Sequence, residues 1–233
     1  MPPVPQRMDI LLTHLHMDHI QGLGFFGPLF QPEAEVHIWG PGSVEQSLEQ
    51  RLARYLSPPL FPVHLRAVPS QLHLHELSGE SMDIGSFHVT LDYVCHPNPT
   101  VGYRITDGDS TVAYLPDHEP ALGMSAIAPT PEWTSGYPLA VGVDLLIHDA
   151  QYDDEEYPEH VGWGHSSMTQ ACAFAELCGV RTLAPFHHDP SHSDLDIDRM
   201  VDHAVRGAGR RVRVVPAMEG LALRLSGGEV GAA

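Results

Sequence analysis

The stretch "THLHMDHIQG", residues 13–22, places three histidines and an aspartate within the six positions from His14 to His19. It follows directly on "DILLT" (9–13), a short apolar run, so the cluster falls where a strand ends. Side chains at i and i+2 on extended backbone point the same way, so His14 and His16 can reach one cation. Asp18 and His19 come as the chain leaves the strand and can turn to a second cation nearby. The chain carries its own control. "QLHLHEL" (71–77) repeats the H-x-H spacing at His73 and His75 with no Asp-His behind it, and reads as an ordinary strand face. Two histidines are therefore not enough. The reading of 13–22 turns on whether further ligands stand at strand ends elsewhere.

Three do. His96 closes the strand "FHVTLDYVC" and is followed by "PNP", which stops it; Asp117 ends "STVAYLP"; His187 ends "RTLAPF". Function collects at such edges because a rigid strand can hold a polar group at its end. His188 is the alternative to its neighbour His187, which is preferred because it stands directly at the edge. His118, next to Asp117, reads as a supporting or exposed residue. Cys95 alternates to the other strand face and reads as a core thiol.

Around these positions the elements alternate. "EVHIW" (35–39) reads as a strand closed by "GPG". "SVEQSLEQRLARYL" (43–56) reads as a helix capped by Ser43, with Val44, Leu48, Leu52 and Leu56 at helical spacing. "VHLRAV", "QLHLHEL", "FHVTLDYVC", "VGYRITD" and "STVAYLP" are strand candidates, and Asp107-Gly108 turns the last two into a hairpin. Residues 119–140 read as a surface loop. "VDLLIHDA" (143–150) is a buried strand. "SSMTQACAFAELCGV" (166–180) is a helix with Ser167 and Gln170 placed for a capping box and Gly179 for a stop. "RTLAPF", "SDLDIDRMVDHAVRGAG", "RVRVVPA" and "LALRL" then read as strand, helix, strand and strand. A strand-rich first part and an alternating last third describe a mixed α/β sandwich.

These pieces, "THLHMDH", the strand-closing His96, the Asp117 of "AYLPD" and the His187 of "APFH", resemble the metallo-β-lactamase superfamily in order and separation over about 9–225. The resemblance implies a four-layer αββα fold in a single domain over 1–233. By it His14, His16 and His96 hold one metal, Asp18, His19 and His187 hold a second, and Asp117 bridges them; Asp18 also counts among the catalytic groups. An all-nitrogen-and-oxygen set suits zinc first, with manganese or iron as the other choices. Two adjacent cations lower the pKa of a water between them and stabilise the charge that develops in hydrolysis.

A histidine at position 16 favours hydrolysis over the superfamily's redox branch, which carries a carboxylate there. "GWGHSS" and "LIHDA" are similar to segments of the phosphodiesterase branch, which includes ribonuclease Z. By that resemblance His165 protonates the leaving oxygen and Asp149 orients it. Ribonuclease Z carries a tRNA-gripping insertion between the strand-closing histidine and the bridging aspartate. Here twenty residues separate His96 from Asp117, and the hairpin fills them. A small phosphodiester of cyclic-nucleotide type is the expected substrate; a thioester or lactone hydrolase, or a non-catalytic metal-binding remnant, is the alternative. Trp133 and Tyr137, with Tyr152, Tyr157 and Trp163, are candidates to line the pocket or to anchor loops.

Composition points the same way. Acids outnumber bases 30 to 12 and the net charge is −18; every base is arginine, and they are scattered. A protein that grips long nucleic acid presents a basic face, so a small-molecule substrate is favoured. Three cysteines with no C-x-x-C fit a reducing compartment, and no apolar run reaches the length of a membrane span, so the expected location is cytoplasmic. The family fold places several strands before its H-x-H-x-D-H segment, whereas thirteen residues precede His14 here. The expectation is a fold lacking its N-terminal strands, with an exposed sheet flank that a second copy of the chain could cover.

Overall fold

The computed structural model describes residues 6–232 except 80, 122, 123, 125, 128, 129 and 208–211. The proline-rich start at 1–5, parts of the 119–140 loop and the link after the last long helix lie outside the described residues. The chain forms two compact units, Met1–Ser78 and Gly79–Ala233.

In the first unit β1 (Arg7–Leu11) leads through the histidine segment into the short α1 (Met17–Ile20), then β2 (Glu35–Pro41), α2 (Leu48–Ala53) and β3 (Gln71–Leu77). The three strands form a parallel sheet in the order β1-β2-β3. Its period of two sorts the side chains cleanly. Met8, Ile10, Val36, Ile38, Leu72 and Leu74 join Leu48 and Leu52 of α2 in one apolar core. The helix is shorter than the periodicity predicts. Ser47 and Gln50 form the capping box, so α2 starts after Ser47, while Ser43 only accepts the Glu45 N–H in a turn and Val44 is exposed. "VHLRAV" is no strand: Leu65–Ala67 is a single 3₁₀ turn that buries Leu65 alone.

The second unit is built on a seven-stranded mixed sheet, ordered β10-β9-β8-β7-β6-β5-β4. The strands are β4 (Ser81–Ile84), β5 (Phe87–Tyr93), β6 (Val101–Thr106), β7 (Thr111–Leu115), β8 (Leu145–Asp149), β9 (Thr182–Phe186) and β10 (Arg213–Val214). From β4 to β7 neighbours are antiparallel, and from β7 to β10 they are parallel. Among the described residues four α-helices interleave: α3 (Tyr137–Ala140), α4 (Tyr157–His160), α5 (Met168–Leu177) and α6 (Asp194–Gly207). Ser167 caps α5 by accepting the Gln170 N–H, and Gly179, at φ +64°, follows its end. Met168, Ala171, Cys172, Phe174 and Ala175 of α5 pack with Met200, Val201 and Ala204 of α6 against Ala113, Leu115, Leu146 and Leu183 of the sheet. The terminal hairpin of β11 (Leu223–Ser226) and β12 (Glu229–Ala232) packs Leu223, Leu225 and Val230 against Val112, Leu145, Ile147 and Ala184. This is an α/β fold of mixed sheets with flanking helices. Among the described residues no helix is long and apolar enough to cross a membrane.

Candidate metal centre

The parallel run β7-β8-β9 sets the site of the second unit. Parallel neighbours end at the same edge of a sheet, which is where α/β proteins bind ligands. Leu115 pairs with His148 and Asp149 with Phe186, so Asp117, Asp149 and His187 all emerge at one edge from three adjacent strands. His187 leaves β9 at φ +57°, in the left-handed region that non-glycine residues rarely occupy. Such strain is kept where a side chain must be aimed. It brings His187 Nε2 to 3.5 Å from Asp117 Oδ2, with Nδ1 at 4.0 Å from Asp149 Oδ2. His188 turns instead to the Ala150 carbonyl at 3.3 Å, and burial lowers its pKa.

His96 also reaches Asp117. Its Nε2 lies 3.8 Å from the same Oδ2. The Nε2 atoms of two imidazoles, His96 and His187, therefore lie 3.8 and 3.5 Å from one oxygen of the buried Asp117 carboxylate. His96 Nδ1–H donates to the Gly164 carbonyl at 2.8 Å, which makes Nε2 the lone-pair nitrogen. A metal-binding histidine shows this arrangement, its second nitrogen spent on a backbone carbonyl that fixes tautomer and ring plane. One donor atom each from His96, Asp117 and His165 lie within 4.8 Å of one another. Nitrogen and carboxylate donors so arranged fit a divalent transition ion.

His165 and Asp149 form a dyad. Nδ1–H of His165 donates to Asp149 Oδ2 at 2.7 Å. The carboxylate is fully buried and accepts three backbone N–H groups as well, from Ser166 (3.0 Å), Gln151 (3.1 Å) and His118 (3.3 Å). The His165 ring is stacked on His187, with centroids 5.2 Å apart, and meets His96 edge-on at 4.8 Å.

In the first unit His14 is buried, and its ring lies 4.4 Å from those of both His16 and His19. Thr13 Oγ1 meets His14 Nδ1 at 3.2 Å. His16 is extended (φ −64°, ψ 150°) and its carbonyl accepts the His19 N–H, so α1 turns Asp18 and His19 as a pair. Asp18 Oδ2 lies 3.1 Å from His19 Nε2.

Two supporting residues escaped the sequence reading. Glu119 is buried. It takes the Tyr157 hydroxyl (3.0 Å) and the Gly162 N–H (2.8 Å) on Oε1, and the Gly164 N–H (3.0 Å) on Oε2. It thereby clamps the segment whose carbonyl holds His96. His148 is the other. Its Nδ1–H donates to the Asp149 carbonyl at 2.7 Å, and its Nε2 meets His118 Nδ1 at 2.9 Å. Burial drives the pKa of His118 well down and lowers that of His148. His118 is thus a buried support. Cys95 is half-buried, and its pKa is raised by burial and by Glu119. Of the loop aromatics, Tyr152 and Tyr157 are buried anchors, whereas Trp133 and Trp163 are exposed.

A His/Asp cluster at the strand ends of this α/β fold is the mark of a metal-dependent hydrolase. The chain belongs to the beta-lactamase superfamily domain family, whose model matches residues 2–188. It is 25% identical over 241 residues to the ribonuclease Z of Streptococcus suis, covering 82% of this chain and 74% of that protein. Its fold is similar to unliganded yeast PDE1 (TM-score 0.67, 17% identity, 91% of this chain and 67% of that one). It is also similar to Zn²⁺-bound PqqB from Methylobacterium extorquens (TM-score 0.59, 19% identity, 89% and 70%).

Proposed function

We propose that the chain is a binuclear metal-dependent phosphodiesterase acting on small phosphodiesters of cyclic-nucleotide type. The observation that carries this reading is the His165–Asp149 dyad beside Asp117, His96 and His187. His14, His16 and His96 would hold one ion, Asp18, His19 and His187 the other, and Asp117 would bridge them; zinc is favoured by the donor set. When bound, the two ions supply Lewis acidity and an activated water.

The chain's own residues do the rest. Asp149 receives Nδ1–H of His165 and partners the ring in its doubly protonated form, so Nε2–H can pass to the departing alkoxide. The three backbone N–H groups on Asp149 keep its carboxylate from rotating away. The stack on His187 fixes the plane of the His165 ring. The likeness to a curated ribonuclease supports a phosphodiester as the bond attacked. The net charge of −18 supports a small substrate over a long polyanion.

The test is a leaving-group series on the zinc- or manganese-loaded protein. His165→Ala should lose about 10²-fold or more on phosphodiesters with alkyl leaving groups. On bis-p-nitrophenyl phosphate, whose leaving group needs no proton, it should lose little. Equal loss on both removes the proton-donor role, and turnover confined to thioesters or lactones removes the phosphodiesterase reading.

A further inference from the structure

The sheet of the first unit has a second face, and it is not apolar. Asp9 on β1, Glu35, His37 and Trp39 on β2, and His73 and His75 on β3 alternate with the core residues and share that face. The register sets His37 directly beside His73 and Trp39 beside His75. An E-x-H pair on one strand thus lies against an H-x-H pair on the next. His73 and His75 alone looked like an ordinary strand face; the neighbouring strand changes what they can do.

The contacts are close. His37 Nε2 meets Glu35 Oε1 at 2.8 Å, and His37 Nδ1 meets His75 Nε2 at 2.8 Å. The His37 ring is stacked on His73 at 4.6 Å, and His75 is stacked on Trp39 at 3.8 Å. Trp39 is held in turn by its indole N–H to Asp9 at 2.9 Å. One donor atom each from Glu35, His37 and His73 lie within 4.8 Å of one another. His37 is buried and His73 is exposed, so a small ion has a way in from solvent.

We propose that Glu35, His37 and His73 form a second transition-metal site on this face, separate from the proposed hydrolytic centre. Two imidazoles and one carboxylate suit Zn²⁺, Ni²⁺ or Cu²⁺, with water completing the coordination. Donors on one such ion at about 2.0–2.2 Å each stand roughly 3–3.5 Å apart, so the present spread closes by small side-chain rotations. The ion takes the place now held by the proton between Glu35 and His37 Nε2. His37 then donates Nδ1–H to His75, which orients the ring as a second partner does at other histidine sites.

Trp39 gives the site its own reporter. Cu²⁺ titrated into the full chain should quench a tryptophan component that is missing in Trp39→Phe. In His73→Ala the midpoint of that component should move to at least about tenfold higher Cu²⁺. After dialysis against Zn²⁺, His73→Ala should retain one equivalent fewer than the unaltered chain. Circular dichroism checks folding; should His73→Ala fail to fold, Glu35→Gln decides by the same two readouts. An unchanged midpoint together with an unchanged zinc count in the folded variant overturns the proposal. Neither readout depends on hydrolysis, so its failure is distinct from failure of the phosphodiesterase reading.

Discussion

Glu119 and Gly164 decide how well His96 is held. Gly164 sits at φ +90°, and a Cβ there would fall 2.6 Å from His96 Nδ1 and 2.9 Å from its Cα. Gly164→Ala must therefore displace the ring or the carbonyl it bonds. Metal affinity should fall about 10–100-fold, as when a ligand's orienting partner is lost elsewhere. Glu119→Gln acts one step further out. An amide presents donors where one carboxylate oxygen now accepts the Gly164 N–H and the other accepts two groups. Leaving a buried donor unmatched costs about 1–3 kcal/mol, and a chain of this size loses roughly 2–4 °C of Tm for each. Thermal melts and a metal titration read both effects. An unaltered titration for Gly164→Ala would show that the Gly164 carbonyl does not orient His96.

Elements differ in how much of themselves they show in sequence. The central strands β7, β8 and β9 of the second unit are largely apolar runs followed or closed by a polar residue, so they and the residues at their ends could be read directly. The start of α2 could not, because Ser43 and Ser47 are both good caps and only the reciprocal bond with Gln50 separates them. Glu119 was hidden for a different reason. Its partner Gly164 lies 45 residues on, and no local spacing signals a bond of that range. The E-x-H beside H-x-H arrangement was hidden likewise, since it exists only through the register of β2 on β3.

The helix α5 and the Cys178 that caps its end carry a pH prediction of their own. Burial pushes the Cys178 thiol up to about 12, and burial, Glu176 and Asp154 push Cys172 to about 11. An unfolded thiol ionises near roughly 8.5. The folded pKa values are raised, so this stability is complete below about 8.5 and is lost as pH rises toward 11–12. The slope approaches about 1.4 kcal/mol per pH unit for each thiol. Urea midpoints taken between neutral and alkaline pH should fall, and Cys178→Ala should flatten that fall. An identical slope in the variant would place the alkaline loss elsewhere.

At the scale of the whole molecule the governing quantity is charge. With 30 acids against 12 arginines, repulsion among like charges opposes the compact state. Several arginines are already spent locally, in Arg7–Asp9, Arg181–Asp144, Arg199–Asp196 and Arg206–Asp202. Three of these four pairs have highly exposed arginines, and exposed pairs contribute little. Net repulsion is therefore the larger electrostatic effect, and it acts over distances that salt can screen. The screening length falls from about 30 Å at 0.01 M to about 8 Å at 0.15 M ionic strength. Tm should accordingly rise between those two conditions in a salt that binds no site, such as sodium chloride. A fall in Tm over the same interval would mean that local ion pairs outweigh the net charge. On the proposed phosphodiesterase reading, the same screening should speed any hydrolysis of a long RNA more than that of a small phosphodiester, because only the polyanion meets the full field of the net negative charge. Parallel assays of the two substrates across that range of salt measure the difference directly.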